Sequence, residues 1–492
     1  MQIIENCFNP GELVVWYGVI SFFSQGAEAA LIAKYLTLGL KWITAFGGSK
    51  GSGFGRLESV TTELHKVDFS LPQNIDISGV SDGISLHLEF IDDLLIGGIT
   101  RGTNFIESET VIPGGVIKGS LARFLNQLCG TVSGTEKIAL GNRNVADRFP
   151  RLARYFSALQ FSHAFPVYMS QELRPVVIPF SAVKTSSGEG RDAYYDVALL
   201  EKPSLDIHNK APEFQVNWKN TGDLQEYFGW ASCDIINKTR TSIDSETRRA
   251  KDESLYTFQY LTPFKAGSEK EKVKWIANLR FPELEPLEQE ELCAELIEAI
   301  HQGWNVLGKR DSRFRFTVHD RLAEDILLPQ SDVVVDEDIA IVLLQTDALM
   351  FDGNAIAANH QKPDLQSIYN DYWEEITEHS CKLERFFARQ KFSGGYLAKR
   401  YQLYRPYYPF ILTEAGSVFV LKINNKEKAE PILQRLQKQG LPLPASITQR
   451  VPKNREHWEL CPFVPENGYG EIRINQRWHS RLMQVNPEGA ES

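Results

Sequence analysis

Five glycines surround Lys50 in the run GGSKGSGFGRLE, Gly47 to Glu58, which ends in a Gly-Phe-Gly-Arg step. Glycine reaches φ > 0 at little steric cost and leaves main-chain N–H groups open to another backbone, so a phosphate or nucleotide can approach them directly. Gly47, Gly48, Gly51, Gly53 and Gly55 are anion-binding candidates on this ground, with Lys50 and Arg56 supplying positive charge beside them. A tight surface turn without a ligand explains the same residues. A Walker loop needs Gly-Lys-Ser/Thr and a following helix, whereas Lys50 is followed by Gly51. A dinucleotide fingerprint needs a strand before and a helix after. Here an apolar, helix-like segment, Ala27 to Trp42, enters the loop, and strand-like residues, Leu57 to Leu64, leave it.

Positive charge is unevenly distributed in a chain of 492 residues whose net charge is −10. Between Val111 and Phe165, Lys118, Arg123, Lys137, Arg143, Arg148, Arg151 and Arg154 stand against only Glu136 and Asp147. Between Arg385 and Phe410 there are six basic residues, nine aromatics and no acid. Lys and Arg neutralise phosphates, and aromatics offer stacking surfaces to unpaired bases. Phe386 and Phe387, at helical spacing, read as core. From Phe392 to Tyr408, with Gly394 and Gly395, contact with RNA or a partner stands equal to a solvated face. Acidic charge gathers in PELEPLEQEELCAELIE and SDVVVDEDI, which suit protein partners.

The hydrophobic content of 42% is ordinary for a globular protein. No run of 18 apolar residues is present, and MQIIENCFNPGELV lacks the basic-then-apolar pattern of a signal peptide. A cytoplasmic location without membrane partners is expected. Six scattered cysteines with no CxxC pair support neither a zinc ribbon nor a disulfide framework.

Three passes of one pattern run along the chain. The first, residues 1–69, is partial: a strand from Leu13 to Phe23, then helix, glycine loop and strand. The second, residues 80–325, opens with ISLHLEF, whose alternating Ile84, Leu86, Leu88 and Phe90 predict a half-buried strand. Pro113, Gly114 and Gly115 turn into a helix over 116–128, and a second helix over 287–304 leads to LGKRDSRFRFTV, where arginines replace glycines. The third, residues 335–480, carries IAIVLL, the helical segment SIYNDYWEEITEHSCKLERFFARQ, the strand SVFVLKI, the helix KEKAEPILQRLQKQG, and a last strand after Gly468 and Gly470. Strand, helix, strand, helix, glycine turn, strand is the order of a ferredoxin-like unit. The fold class expected is α+β: tandem ferredoxin-like (RRM-like) units, with a polar insertion over 166–274 and a tail over 481–492.

GGSKGSGFGRLE, IPGGVIKGSLARF (Ile112 to Phe124) and RYFSALQFSHAFPV (Arg154 to Val167) together resemble the RAMP superfamily of CRISPR-associated proteins. RTSIDSETRRAKDESLYTFQYL, Arg240 to Leu261, is similar to an arginine-threonine segment of type III subunits. AGSVFVLK and NGYGEIRINQRWH resemble the type III-D subunit related to the handle-capping family. The resemblance implies an effector-complex subunit that holds CRISPR RNA, meets target RNA and packs against other effector subunits. It implies RNA contacts at the glycine loop, at Gly114, Gly115, Lys118 and Arg123, at Arg240, Arg248 and Arg249, at Lys309 and Arg310, and at Lys399 and Arg400.

Backbone subunits of such complexes cut target RNA with an Asp in the loop before the IPG turn. The loop here, Gly97 to Val111, has no Asp; it has Glu107 and Glu109, with Asp92 and Asp93 at its upstream edge. Asp93, Glu107 or Glu109 could serve as base or metal ligand, with a divalent cation such as Mg as the one cofactor that cutting would require. Solvated carboxylates are the preferred reading, with no cofactor. A CRISPR RNA-processing endonuclease using His163, His319 or His479, and a protein-only scaffold, complete the alternatives.

Overall fold

The computed structural model describes residues 20, 22, 28–45, 56–65, 80, 82–101, 104–131, 136–186, 192–199, 222–243, 250–326, 337–353, 356, 364–393, 410–452, 455–476 and 482–483. The chain divides into two compact units, Met1–Ser70 and Leu71–Ser492. In the first, the expected helix forms as α1 (Glu28–Lys41), with Glu28 in its first turn and Lys41 in its last, the charges that the helix dipole favours at each end. The strand expected over Leu57 to Leu64 is absent: Ala45 and Arg56 make an isolated antiparallel bridge, and residues 57–65 belong to no strand. The glycine run itself, with Lys50, and the strand expected over Leu13 to Phe23, apart from residues 20 and 22, lie outside the described residues.

The second unit is α+β and contains two similar halves. In the N-terminal half, β1 (Gly83–Phe90), α2 (Gly114–Leu128), the split strand β2 (Gln160–Phe161) and β3 (Phe165–Tyr168), β4 (Val273–Arg280), α3 (Pro286–His301) and β5 (Ser312–His319) follow one another. The sheet runs in the order Val306–Leu307, β5, β1, β4, then β2 and β3, antiparallel throughout. In the C-terminal half, β6 (Ile339–Leu344), α4 (Leu365–Ile376), β7 (Cys381–Phe387), β8 (Val418–Ile423), α5 (Lys426–Gln439) and β9 (Ile472–Ile474) build a sheet ordered β7, β8, β6, β9. In both halves the first strand lies between the third and fourth, and the second is at an edge.

Apolar residues of β1 pack with both helices of their half around buried Trp275 and Trp304, and the C-terminal half has its own core around Trp373 and Phe419. β1 is buried on both faces along most of its length: Ser85 and His87 are as enclosed as Leu86 and Leu88, with Glu89 half-buried. The helix expected to run on to Gln390 stops at Ile376. Glu378 and His379 take positive φ, the His379 N–H reaches back to the Glu374 carbonyl, and the chain leaves as β7, which contains Phe386 and Phe387. The polar segment over 166–274 is substantially structured: Cys233–Ile243 and Ala250–Lys265 form a long antiparallel hairpin. No helix among the described residues is long and apolar enough to cross a membrane.

A buried ion network joins the halves. The Arg174 guanidinium donates to both oxygens of Glu471, at 2.7 and 2.9 Å, and Arg473 donates to Asp325 and Glu471. These cations hold the Glu471 carboxyl well below the usual range even though burial pushes it up. Removing one partner of a buried pair leaves the other charge desolvated and alone, which costs about 3–5 kcal/mol. Arg174→Met is expected to destabilise the chain by about that amount in denaturant unfolding. A loss below about 1 kcal/mol would show that the network contributes no more than a surface pair does.

Candidate nucleic-acid interface

The hairpin over 233–265 places its residues with period 2, so opposite partners share a face. Lys238 pairs with Phe258, Arg240 with Tyr256 and Ile236 with Tyr260, which puts two cations and three aromatics on one face. Phe258 and Tyr260 are buried, and the cations lie over them. The Lys238 ammonium is 4.9 Å from the Tyr260 ring centre, and the Lys309 and Arg310 heads are 5.3 and 5.4 Å from that of Phe258. The rings are a floor for cations and not open platforms for bases.

Lys309 and Arg310 come from the turn after α3, at the left-handed Gly308 (φ 83°). Arg310 helps to line a cleft of about 490 Å³ together with Asp92, Asp93, Lys238, Arg240 and Tyr260, and Lys309 stands next to it over the same Phe258 ring. Arg240, Lys309 and Arg310 form no ion pair with a described residue. The other charges in and around the cleft are matched. Asp92 accepts two hydrogen bonds from the Arg313 guanidinium, at 2.8 and 2.9 Å, which hold its carboxyl below the usual range. Asp93 is 2.5 Å from the Lys238 ammonium.

The candidate catalytic carboxylates do not converge. Asp93 belongs to this cleft, and Glu107 lies on the strand Phe105–Ser108. Glu109 is coupled instead to Lys391 and Asp347 of the C-terminal half; loss of water around its carboxyl pushes it above the usual range, although the residue keeps an exposed surface. None of the three belongs to a group of His, Cys or carboxylate side chains close enough to share an ion among the described residues.

The basic strip around the IPG turn is largely committed within the protein. Lys118 is only 8% exposed, and its ammonium donates to the carbonyls of Ser157 and Leu159, both at 2.8 Å. Burial pulls it down to about 8. This corrects the expectation of a phosphate-facing lysine, because its donors point inward to the backbone at the end of Phe156–Ala158. Gly114 does admit another backbone closely, but it is polypeptide: a Cβ there would land on the Phe161 carbonyl, while one on Gly115 would press on the Asn467 side chain at 3.3 Å. Arg123 is half-exposed and paired with Asp311 at 2.6 Å. Arg56 is exposed, in the first unit. Arg248, Arg249, Lys399, Arg400, His479 and the segment 394–409 lie outside the described residues.

Lys238 and the hairpin aromatics were not singled out individually in the sequence. Their signal is there: TFQY, with NKTR on the partner strand, alternates with period 2.

His163 is buried where the start of α2 meets the turn at Gly468. Its Nδ1 accepts from the Gly114 N–H at 3.2 Å, and Tyr469 packs edge-on against its ring. Burial pushes it down to about 4. The unfolded chain takes up this proton near pH 6.5, the fold only near pH 4, so stability is lost as pH falls from about 6.5 to about 4. Comparing His163→Asn with the parent by unfolding at pH 7 and pH 4.5 should show a shallower acid loss in the variant, by about 1–3 kcal/mol. Parallel pH profiles would assign the acid sensitivity to other groups.

No family model matches the chain, and no curated protein matches it. The chain is similar to a solved chain of a type III-B Cmr-beta complex bound to cognate target RNA, at 13% identity over 82% of this chain and 99% of that one, with TM-score 0.36. It is also similar to a chain of a Csm3–Csm4 subcomplex of the type III-A CRISPR-Cas interference complex, at 9% identity over 68% and 92%, with TM-score 0.31. Likeness at that level does not decide a fold or a partner.

Proposed function

We propose that the chain is an RNA-binding subunit of a type III CRISPR effector complex, which holds guide RNA and helps to present target RNA. Its partners in this reading are CRISPR RNA, target RNA and the other effector subunits. The larger unit is read as two fused ferredoxin-like units, supported by the strand order that both sheets share. The sequence resemblance at the IPG turn and at Arg240 to Leu261 points the same way. The observation that carries the function is the cleft lined by Arg240 and Arg310, with Lys309 beside it and with Lys309 and Arg310 both lying over the Phe258 ring.

Such a surface binds a phosphate backbone with little regard to sequence, because it offers charge and few directional donors to base edges. Holding RNA in this way calls for no metal or cofactor. The pairing of Asp93 with Lys238 supports a holder over a nuclease, since the ammonium occupies the carboxylate that would have to meet substrate or metal.

Lys309→Glu, Arg310→Glu is expected to weaken binding of single-stranded RNA at least tenfold near 0.15 M salt. It should also flatten the slope of log affinity against log salt by about 0.7 for each phosphate contact removed. Filter binding across a salt series measures both, and an unchanged slope in a folded variant would remove the cleft from the RNA path.

Catalysis is checked separately, in a reconstituted complex given labelled complementary RNA and Mg²⁺. Asp93→Ala, Glu107→Ala and Glu109→Ala should each leave the complete ladder of cleavage products. Loss of one defined band in any of them, with assembly intact, would make this chain a cutting subunit.

A further inference from the structure

Away from the cleft, three ligating side chains meet beside the sheet of the N-terminal half. His87 projects from β1 and His319 ends β5, opposite Ser85, so the two histidines are diagonal neighbours. Their rings lie 4.1 Å apart, centre to centre. Glu172, from the segment after β3, reaches both: its Oε2 is 3.4 Å from His87 Nδ1 and 4.0 Å from His319 Nε2. One ligand atom from each residue lies within 4.8 Å of the other two.

We propose that His87, Glu172 and His319 form a divalent transition-metal site, of the zinc class, that pins the segment carrying Glu172 to the sheet. A tetrahedral zinc with ligands at about 2.0–2.2 Å sets neighbouring ligand atoms about 3.3–3.6 Å apart. The His87–Glu172 pair is already at that spacing, and His319, which stands 4.0 Å from Glu172 Oε2 and within 4.8 Å of the His87 ligand atom, must close toward both by a side-chain movement at a partly exposed strand end. Two imidazoles and one carboxylate are a known three-ligand set for zinc, and the set does not match the all-oxygen preference of magnesium or calcium.

The second carboxylate oxygen is held from behind. Buried Lys274 donates to Glu172 Oε1 at 2.7 Å, which leaves Oε2 turned toward the histidines. The same ammonium repels a dication, so the site should bind more weakly than a closed structural zinc. Glu172 keeps 60% of its side chain exposed and His319 39%, which gives an ion an entry path and a solvent-facing fourth position. Two residues past Glu172 stands Arg174, which anchors the ion network to Glu471. The metal would therefore stiffen the segment through which the two halves are joined.

The test uses the full chain, stripped with EDTA and titrated with Co²⁺ and with Zn²⁺ at pH 7.5. One equivalent of Co²⁺ with the intense visible absorption of a tetrahedral site is expected, with Zn²⁺ displacing it and raising the melting temperature. His319→Gln, on a partly exposed residue, should weaken Co²⁺ binding at least tenfold and abolish the Zn²⁺-dependent melting shift; Glu172→Gln should do the same. Absence of a stoichiometric Co²⁺ complex in the parent chain would overturn the site. Equal binding in both variants would overturn it as well.

Discussion

The carbonyl of Phe161 is the point on which the larger unit depends. A Cβ on Gly114, at the start of α2, would collide with it from one side, and a Cβ on Gly468, in the turn before β9, would sit 2.6 Å from it on the other. Gly468 also needs φ 87°, which L side chains rarely adopt. Two glycines far apart in the chain are thus required at one atom, one from each half. His163 completes the contact, taking the Gly114 N–H that no helical carbonyl can reach and packing against Tyr469. With the seam this close, the ion network of Arg174, Asp325, Glu471 and Arg473 can be sealed from water, where its charges interact most strongly.

That seam also explains why the glycine motifs were partly misleading. A glycine records that something approaches the backbone, and it does not record what. At Gly114, Gly115 and Gly468 the visitor is the protein itself. Lys118 follows the same logic. In the sequence it is a cation in the first turns of a helix, a position that suits phosphate. In three dimensions the carbonyls of Ser157 and Leu159 arrive from about forty residues away and accept its hydrogen bonds. Nothing local to IPGGVIKGS specifies them.

The elements themselves were legible wherever one period dominated. ISLHLEF alternates and forms β1, and KEKAEPILQRLQKQG forms a helix over Lys426–Gln439 despite Pro431, which lies one turn in. Alternation could not show that Ser85 and His87 are buried too, because a second covering layer leaves no trace in a single strand's pattern. The helix after Asp364 was overextended because CKLERFF carries apolar residues that satisfy either period. The break is made by a backbone excursion at Glu378 and His379, neither a usual stop signal. Of the candidate interface, Arg240, Lys309 and Arg310 were legible as cations, but their convergence was not. It requires the hairpin over 233–265 to lie beside the turn that follows α3, a contact between segments some fifty residues apart.

The acids of the cleft bear on what such a surface can do. Were Lys238, Arg240, Lys309, Arg310 and Arg313 all unmatched, like charges at short range would oppose the fold. Asp92 and Asp93 offset two of them, Arg313 and Lys238, and the aromatic floor offsets part of the rest through its negative ring faces. Arg240, Lys309 and Arg310 are left without an ion-pair partner among the described residues, and in the proposed reading they meet phosphate. Because these three offer charge at a spacing set by the protein and not by base edges, they would hold any strand whose phosphates fit that spacing. For the proposed holder of a guide whose sequence varies, indifference to the bases is the property required, and it follows from which charges in the cleft are already paired.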